Sequence, residues 1–261
     1  MEINGNLSES SEITTGVPQG LILGPPLFIL YVNDISSCFN NSTVNMYDDD
    51  TVFYCSGSSV AAVTRSLQYD LQSVAKWLQA NKLSLHVGKT NCMIICDNRK
   101  SEFKNNPNLD LFLNGENISQ ESDCKYLGVT LDSQMKFQIH VNDIIIWLKR
   151  ALGIFTRAAQ FVDISTRITL YNTLLLPHLD YCSTVWSGSL RKCDLVRLQR
   201  IQNRAMRTIL HCHPRTHILD MLRTLKWMSV KQRLHYNLCI FIWKIIHNQV
   251  PTYLSNIHTP V

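Results

Sequence analysis

The chain has 261 residues, nine cysteines, 45% hydrophobic and 17% charged residues, and a net charge of +5. That length supports a proper hydrophobic core over about two domains, and the composition excludes disordered, collagen-like and disulfide-scaffold classes. The charge is divided: residues 1–140 hold 9 Lys/Arg against 15 Asp/Glu, whereas residues 141–261 hold 16 against 5. An acidic half joined to a basic half suits one end that manages metal ions and another that meets a polyanion; two solvated surfaces differing by drift is the alternative.

In chain order, Gly24-Pro25-Pro26 opens a short helix over Leu27–Asn33, since proline is tolerated in a first turn. Val44–Tyr47 and Thr51–Cys55 read as strands of a tight hairpin around Asp48, Asp49 and Asp50. Val60, Val63, Leu67, Leu71, Val74 and Leu78 recur at helical spacing. Cys92–Cys96 is a buried-strand candidate, and Leu109–Leu113 and Ile118 flank the hairpin dipeptide Asn114-Gly115. Tyr126–Leu131 reads as a further strand. Beyond about residue 138 only helices are expected: Ile139–Ala159, Arg167–Leu176, Leu190–Leu210, Thr216–Leu225 and Val230–His247, punctuated by Pro177, Pro214 and Pro251.

The expected architecture is α+β, with a boundary at 138/139 where the charge also changes sign. No basic segment followed by an apolar core marks a signal peptide, and Leu21–Val32 and Leu238–Ile246 are too short or broken to span a bilayer. The expectation is an intracellular chain, nuclear or cytoplasmic, not secreted and without membrane contact. Unpaired cysteine spacing fits buried small apolar residues in a reducing compartment.

Two blocks carry chemistry: Gly16-Val17-Pro18-Gln19-Gly20, then Tyr47-Asp48-Asp49-Asp50-Thr51. The first resembles the Gly-Val-Pro-Gln-Gly motif of retroelement reverse transcriptases, and the second their Tyr/Phe-Ala-Asp-Asp-Thr catalytic turn. Asn81-Lys82-Leu83-Ser84-Leu85 with Lys89-Thr90, Tyr126-Leu127-Gly128, Leu174–Trp186, Leu198-Gln199-x-x-Gln202-Asn203-Arg204-Ala205, Leu225-x-Trp227 and Val230-x-x-Arg233 extend the likeness over essentially the whole chain. The chain thus resembles the C-terminal part of a non-LTR (LINE-type) retrotransposon reverse transcriptase.

The resemblance implies a partial polymerase palm sheet with packed helices over residues 1–138 and a helical thumb-like region over 139–261. It implies RNA-directed DNA polymerisation with Mg²⁺, deoxynucleoside triphosphates, an RNA template and a DNA primer. Asp49 and Asp50 would be the catalytic, metal-binding pair of an incomplete site. Gly16, Pro18, Gln19, Gly20 and Lys89 would line the nucleotide and template pocket, and Tyr126, Leu127 and Gly128 would support the primer end. Oxygen ligands suit Mg²⁺, and two such ions clamp the attacking and leaving oxygens of nucleotidyl transfer.

Departures from the family are specific. Its first metal-binding aspartate lies farther upstream of Gly16 than fifteen residues, and Asp48 stands where the family has a small alanine. Strand alternation would point Asp48 away from Asp49 and into packed structure. The expectation is a truncated polymerase domain that does not act alone; the alternatives are a non-catalytic nucleic-acid-binding remnant or an unselected relic.

Three further patterns complete the reading. Arg197, Arg200, Arg204 and Arg207 line one helix face at spacings of 3, 4 and 3 and, with no acidic partner counted there, favour phosphate-backbone contact over an ordinary solvated face. Trp227, Tyr236, Phe241 and Trp243 fit helix core positions. Gly88-Lys89-Thr90 lacks the upstream glycine of a phosphate loop, and the pair Cys92-x-x-x-Cys96 lies in an expected strand and far in sequence from His211, Cys212, His213 and His217, which disfavours a shared structural zinc.

Overall fold

The computed structural model describes residues 2–3, 6–7, 22–96 and 107–255. It divides into two compact units, one formed by residues 1–92 and 99–121, the other by 93–98 and 122–261. The class is α+β. Every described β-ladder has two strands.

In the first unit, β1 (Glu2–Ile3) and β2 (Asn6–Leu7) pair antiparallel. Helix α1 (Gly24–Val32) has proline in its first turn, as expected, and passes directly into a 3-10 turn over Asn33–Cys38. Strands β3 (Thr43–Tyr47) and β4 (Asp50–Tyr54) form the expected hairpin. Helix α2 (Val60–Ala80) starts at Ser59, whose hydroxyl accepts from the Ala62 amide, and buries Leu67, Leu71 and Val74. The same unit also buries the apolar residues Val32, Ile35, Leu109, Leu111, Leu113 and Ile118. Gln68 on α2 donates to the Phe112 carbonyl and accepts from its amide, both at 2.8 Å, which fixes the helix to β6 (Phe112–Leu113).

The Asn114-Gly115 turn joins β6 to β7 (Glu116–Asn117), both turn residues having positive φ, as a primed two-residue turn requires. Cys92–Cys96 is not one strand: only Asn91–Cys92 (β5) pairs, in parallel with β8 (Ser119–Gln120), and Cys96 donates to the Ser133 carbonyl in the second unit.

The second unit opens with a hairpin. Tyr126–Leu131 is not a strand but the middle of a hairpin, β9 (Asp123–Tyr126) and β10 (Val129–Asp132), folded at Leu127 and Gly128. Leucine at φ 44° is an unusual turn residue, which hid the reversal from a pattern reading.

Helices follow: α3 (Gln138–Ala158), α4 (Ile164–Leu174), α5 (Leu176–Asp180), α6 (Ser183–Trp186), α7 (Lys192–Leu210), α8 (Ile218–Leu225), α9 (Val230–Ile246) and α10 (Thr252–Ser255). Among the described residues no strand follows β10. The predicted 167–176 helix is thus two, because Pro177 in the first turn of α5 cannot donate to a continuous α4. The core gathers Ile145, Leu148 and Phe155 of α3, Trp186 of α6, Leu198 and Ala205 of α7, and Val230 and Leu234 of α9.

Helix α9 buries only Val230 and Leu234, so the expected core role of its aromatics fails beyond the second turn. Trp243 is 49% exposed and Tyr236 51%, and Trp243 stacks on His247 at 4.1 Å. Trp227, just before the helix, is half-buried and stacks on Tyr171 at 4.2 Å. None of the nine cysteines is fully buried, and Cys193 and Cys239 are exposed on the outer faces of α7 and α9. No described helix is long and apolar enough to cross a membrane.

Candidate catalytic turn and nucleic-acid interface

The β3–β4 hairpin pairs Tyr47 with Asp50, which leaves Asp48 and Asp49 as a two-residue turn. Asp48 takes φ 54°, a left-handed conformation that aspartate tolerates better than most residues. Asp48, Asp49 and Asp50 are all exposed. The expectation that Asp48 turns into packed structure is therefore overturned: alternation ends where the strand ends, and a residue in the turn itself faces solvent. Among the described residues no group of three His, Cys, Asp or Glu side chains could hold a metal ion. Asp49 and Asp50 nevertheless offer adjacent carboxylates, the oxygen donors a hard divalent cation takes, on a backbone pinned by the ladder.

A residue missed by motif reading anchors the approach to this turn. Asp70 of α2 is completely buried, and its carboxylate accepts from the amides of Asn40 (3.2 Å) and Asn41 (3.1 Å) and from the Asn41 side chain (3.2 Å). Burial opposes its ionisation, but these donors and the neighbouring Ser42 hydroxyl outweigh it and hold the carboxyl below its usual range. The segment two residues before β3 is thus tied to α2. An acid among apolar α2 positions was the available signal. Tyr31 of α1 similarly donates to the carbonyl of Asn81, at the end of α2, at 2.5 Å.

Lys89 is exposed at the end of a 3-10 turn over Val87–Lys89. Gly16, Pro18, Gln19 and Gly20 lie outside the described residues.

In the helical unit, Tyr126, Leu127 and Gly128 sit at the tip of the β9–β10 hairpin. The Tyr181 hydroxyl donates to the Leu127 carbonyl at 2.6 Å. Gly128 has φ 79°, and a Cβ there would meet the Tyr181 ring at 3.2 Å, so both backbone shape and space call for glycine.

The arginines of α7 separate by role. Arg197 donates to Asp194 (3.1 Å) and to the Asn142 side chain (3.0 Å). Asp194 is buried, and Arg191, its closest partner, together with Arg197 holds its carboxyl low against the opposing effect of burial. The acidic partner absent from the sequence reading was therefore present three residues earlier in the helix. Arg207 is half-buried with its Nε enclosed. Arg200 and Arg204 are exposed and form no ion pair among the described residues. With Arg197, Ile201 and α3 residues Lys149, Leu152 and Gly153 they line an open groove of about 660 Å³. Lys149 is a second missed residue: on the sequence alone it is one more exposed lysine.

The opposite side of α7 explains the Gln-rich motif. Gln199 accepts from the Val230 amide (2.9 Å) and donates to Gln202 (2.8 Å) and Asn203 (2.9 Å), while Gln202 donates to the Met228 carbonyl (3.0 Å). These amides clip the start of α9 to α7, while Arg200 and Arg204 remain exposed.

The family profile of reverse transcriptase (RNA-dependent DNA polymerase) matches residues 1–131, half of the chain, including both the glycine-rich block and the aspartate hairpin. The chain belongs to the reverse transcriptase family. This reverse-transcriptase domain is homologous to retrotransposon RNA-directed DNA polymerases. It is 24% identical over 86% of its length to the probable RNA-directed DNA polymerase from transposon X-element of Drosophila melanogaster, covering 25% of that protein. It is 25% identical over 80% of its length to the RNA-directed DNA polymerase from mobile element jockey of the same organism, covering 23%. A Pol polyprotein from the type-1 retrotransposable element R1 of Bradysia coprophila is 25% identical over 69% of the chain, with 18% of the relative covered. The chain spans at most about a quarter of the length of these relatives. No solved structure matches significantly. The relatives extend past residue 131 into the helical unit, so likeness to these polymerases is not confined to the profile match.

Proposed function

We propose that the chain supplies the catalytic turn and the thumb-like helices of an RNA-directed DNA polymerase, with residues 1–138 as part of the palm and 139–261 as the thumb-like region. The observation that carries this reading is the two-residue turn of Asp48 and Asp49 with Asp50 at the first ladder position. Asp49 is the metal-binding carboxylate and Asp50 its neighbour. Divalent ions, generally used by this family, would supply charge stabilisation at the oxygens of nucleotidyl transfer.

The other residues take positioning roles. Gly16, Pro18, Gln19 and Gly20, with Lys89, line the pocket for the nucleoside triphosphate and template. Tyr126, Leu127 and Gly128 support the primer end. Arg200 and Arg204, assisted by Lys149, hold phosphates of the template–primer through charge and guanidinium geometry. Arg197 and Arg207 contribute through the packing of α7 rather than by free charge.

Two carboxylates make an incomplete two-metal site, so the chain alone binds nucleic acid without extending a primer. Purified protein is tested for extension of a DNA primer on an RNA template with Mg²⁺, beside its Asp49→Ala variant. No extension, with salt-sensitive binding that survives Asp49→Ala, supports this reading. Extension that vanishes in Asp49→Ala overturns the inactivity, and absence of any nucleic-acid binding overturns the whole. A purely nucleic-acid-binding role is the second reading; the unpaired cations of the α3–α7 groove favour it, since they do not depend on the aspartates.

A further inference from the structure

Trp147 of α3 is 55% exposed although the same helix buries Ile145, Leu148 and Phe155. Its indole is nearly parallel to the His178 ring of α5, at 12°, but the ring centroids stand 6.4 Å apart. The two closed stacks of this unit, Tyr171–Trp227 and Trp243–His247, sit at 4.2 and 4.1 Å. The Arg150 guanidinium reaches over the same indole at 5.4 Å from its centroid. A large aromatic surface is thus flanked by planar groups without being covered by them.

Helix geometry places this ring relative to the basic groove. At 100° per residue, Val141, Ile144, Ile145, Leu148 and Leu152 occupy the buried face of α3. Lys149 and Gly153 lie at one edge, where they line the groove with Arg200 and Arg204. Trp147 lies at the other edge, with exposed Arg150 and Arg157 between. The width of one helix, about 10 Å, separates groove from indole. The outward face carries Arg150 and Arg157 together with exposed Ile146 and Ile154, and Asp143 lies one turn before Trp147.

We infer that Trp147 is a base-stacking platform for single-stranded nucleic acid whose phosphates run from the α3–α7 groove across Arg150. This rests on the phosphate-binding reading of that groove and adds the strandedness of the ligand. Cations along a track and an aromatic face at its end are the two parts of sequence-tolerant single-strand binding. A duplex keeps its base faces stacked inside and offers nothing to the indole. An apolar protein partner is the competing occupant, because exposed Ile146 and Ile154 share this outward face, but the Arg150 guanidinium over the indole favours a phosphate-bearing ligand.

Fluorescence anisotropy of labelled oligo-dT and oligo-rU, beside a hairpin duplex, measured with the 261-residue chain tests this. Trp147→Ala is expected to weaken single-strand binding by roughly 5- to 100-fold, leaving duplex binding and the slope of affinity against salt unchanged. Trp147→Phe retains most of the affinity, and His178→Ala serves as a second probe that leaves the indole in place and weakens binding less. Arg204→Ala lowers the salt slope on both ligands. Unchanged single-strand binding in Trp147→Ala, while Arg204→Ala is impaired, overturns the platform and leaves the groove intact. Loss of self-association in Trp147→Ala, with oligonucleotide binding retained, makes this face a protein interface and also overturns it. If the parent chain binds neither ligand, both readings fall.

Discussion

Arg233 of α9 forks onto the carboxylate of Asp180 at the end of α5, with nitrogen–oxygen distances of 2.7 and 2.6 Å, and Asn237 one turn later donates to the same carboxylate at 3.1 Å. Both partners are about two-thirds enclosed, and Asn237 also reaches the buried Ser183 hydroxyl. Bidentate geometry with low solvent access makes this a stronger contact than a surface pair.

Asp180→Asn and Arg233→Ala are each expected to cost about 2 kcal/mol, below the roughly 3–5 of a fully buried pair because water still reaches a third of each side chain. Arg233→Lys recovers only part, since an ammonium cannot fork. Urea unfolding of the three variants reads this directly. Losses under about 0.5 kcal/mol would show that α9 is held by its other contacts and not by this ion pair.

Gly128 and Gly115 both have positive φ, but only Gly128 has the Tyr181 ring at the place of a Cβ. Gly115→Ala therefore costs about 1 kcal/mol of backbone strain, whereas Gly128→Ala costs about 1–2 kcal/mol more. Thermal melting of the two variants isolates the steric part; equal losses would mean that Tyr181 swings aside freely. Tyr181→Phe, which removes the bond to the Leu127 carbonyl, is expected to lose about 1 kcal/mol.

Asp70 gives a pH dependence of known sign. Its native pKa is depressed, so its contribution is complete above the unfolded carboxylate value, about 3.9, and is lost as pH falls through the lower native value. Asp70→Asn should be less stable at neutral pH by about 1–3 kcal/mol, and its deficit should narrow as pH falls below that point. Parallel acid titrations of the two proteins check it: a deficit that widens in acid has the wrong sign.

Arg200→Ala and Arg204→Ala are each expected to lower the slope of log affinity against log salt by about one without loss of stability. Arg197→Ala should do the reverse, since it strips one partner from buried Asp194. Melting curves and salt titrations on the same three variants separate the roles, and an Arg197→Ala variant as stable as the parent would refute this division.

The long amphipathic elements were legible in the sequence. The periodic apolar residues of α2 and the apolar stripe of α7 appear where spacing puts them, and Asn114-Gly115 turns as its chemistry dictates. Leu127-Gly128 was not legible, because a leucine in the left-handed region is held by Tyr181, fifty-four residues away. The aromatics of α9 were misplaced because helical periodicity identifies an apolar face but not whether anything packs on it. The candidate site residues come from motifs alone, while Asp70, Lys149 and the Gln199–Gln202 clip depend on contacts across the fold and left no motif to read.

The three consecutive aspartates of the β3–β4 turn are chemically degenerate. Sliding the hairpin by one residue so that Asp49 and Asp50 form the turn would still leave two carboxylates at its tip, so the aspartates alone do not oppose that slip. What that slip would change is every side chain on the strands, each passing to the opposite face. Phe53 would then leave Phe39, now 5.1 Å away, and Val44 would lose its place opposite Phe53. The hairpin is thus indexed from its base: two phenylalanines decide which pair of aspartates forms the turn.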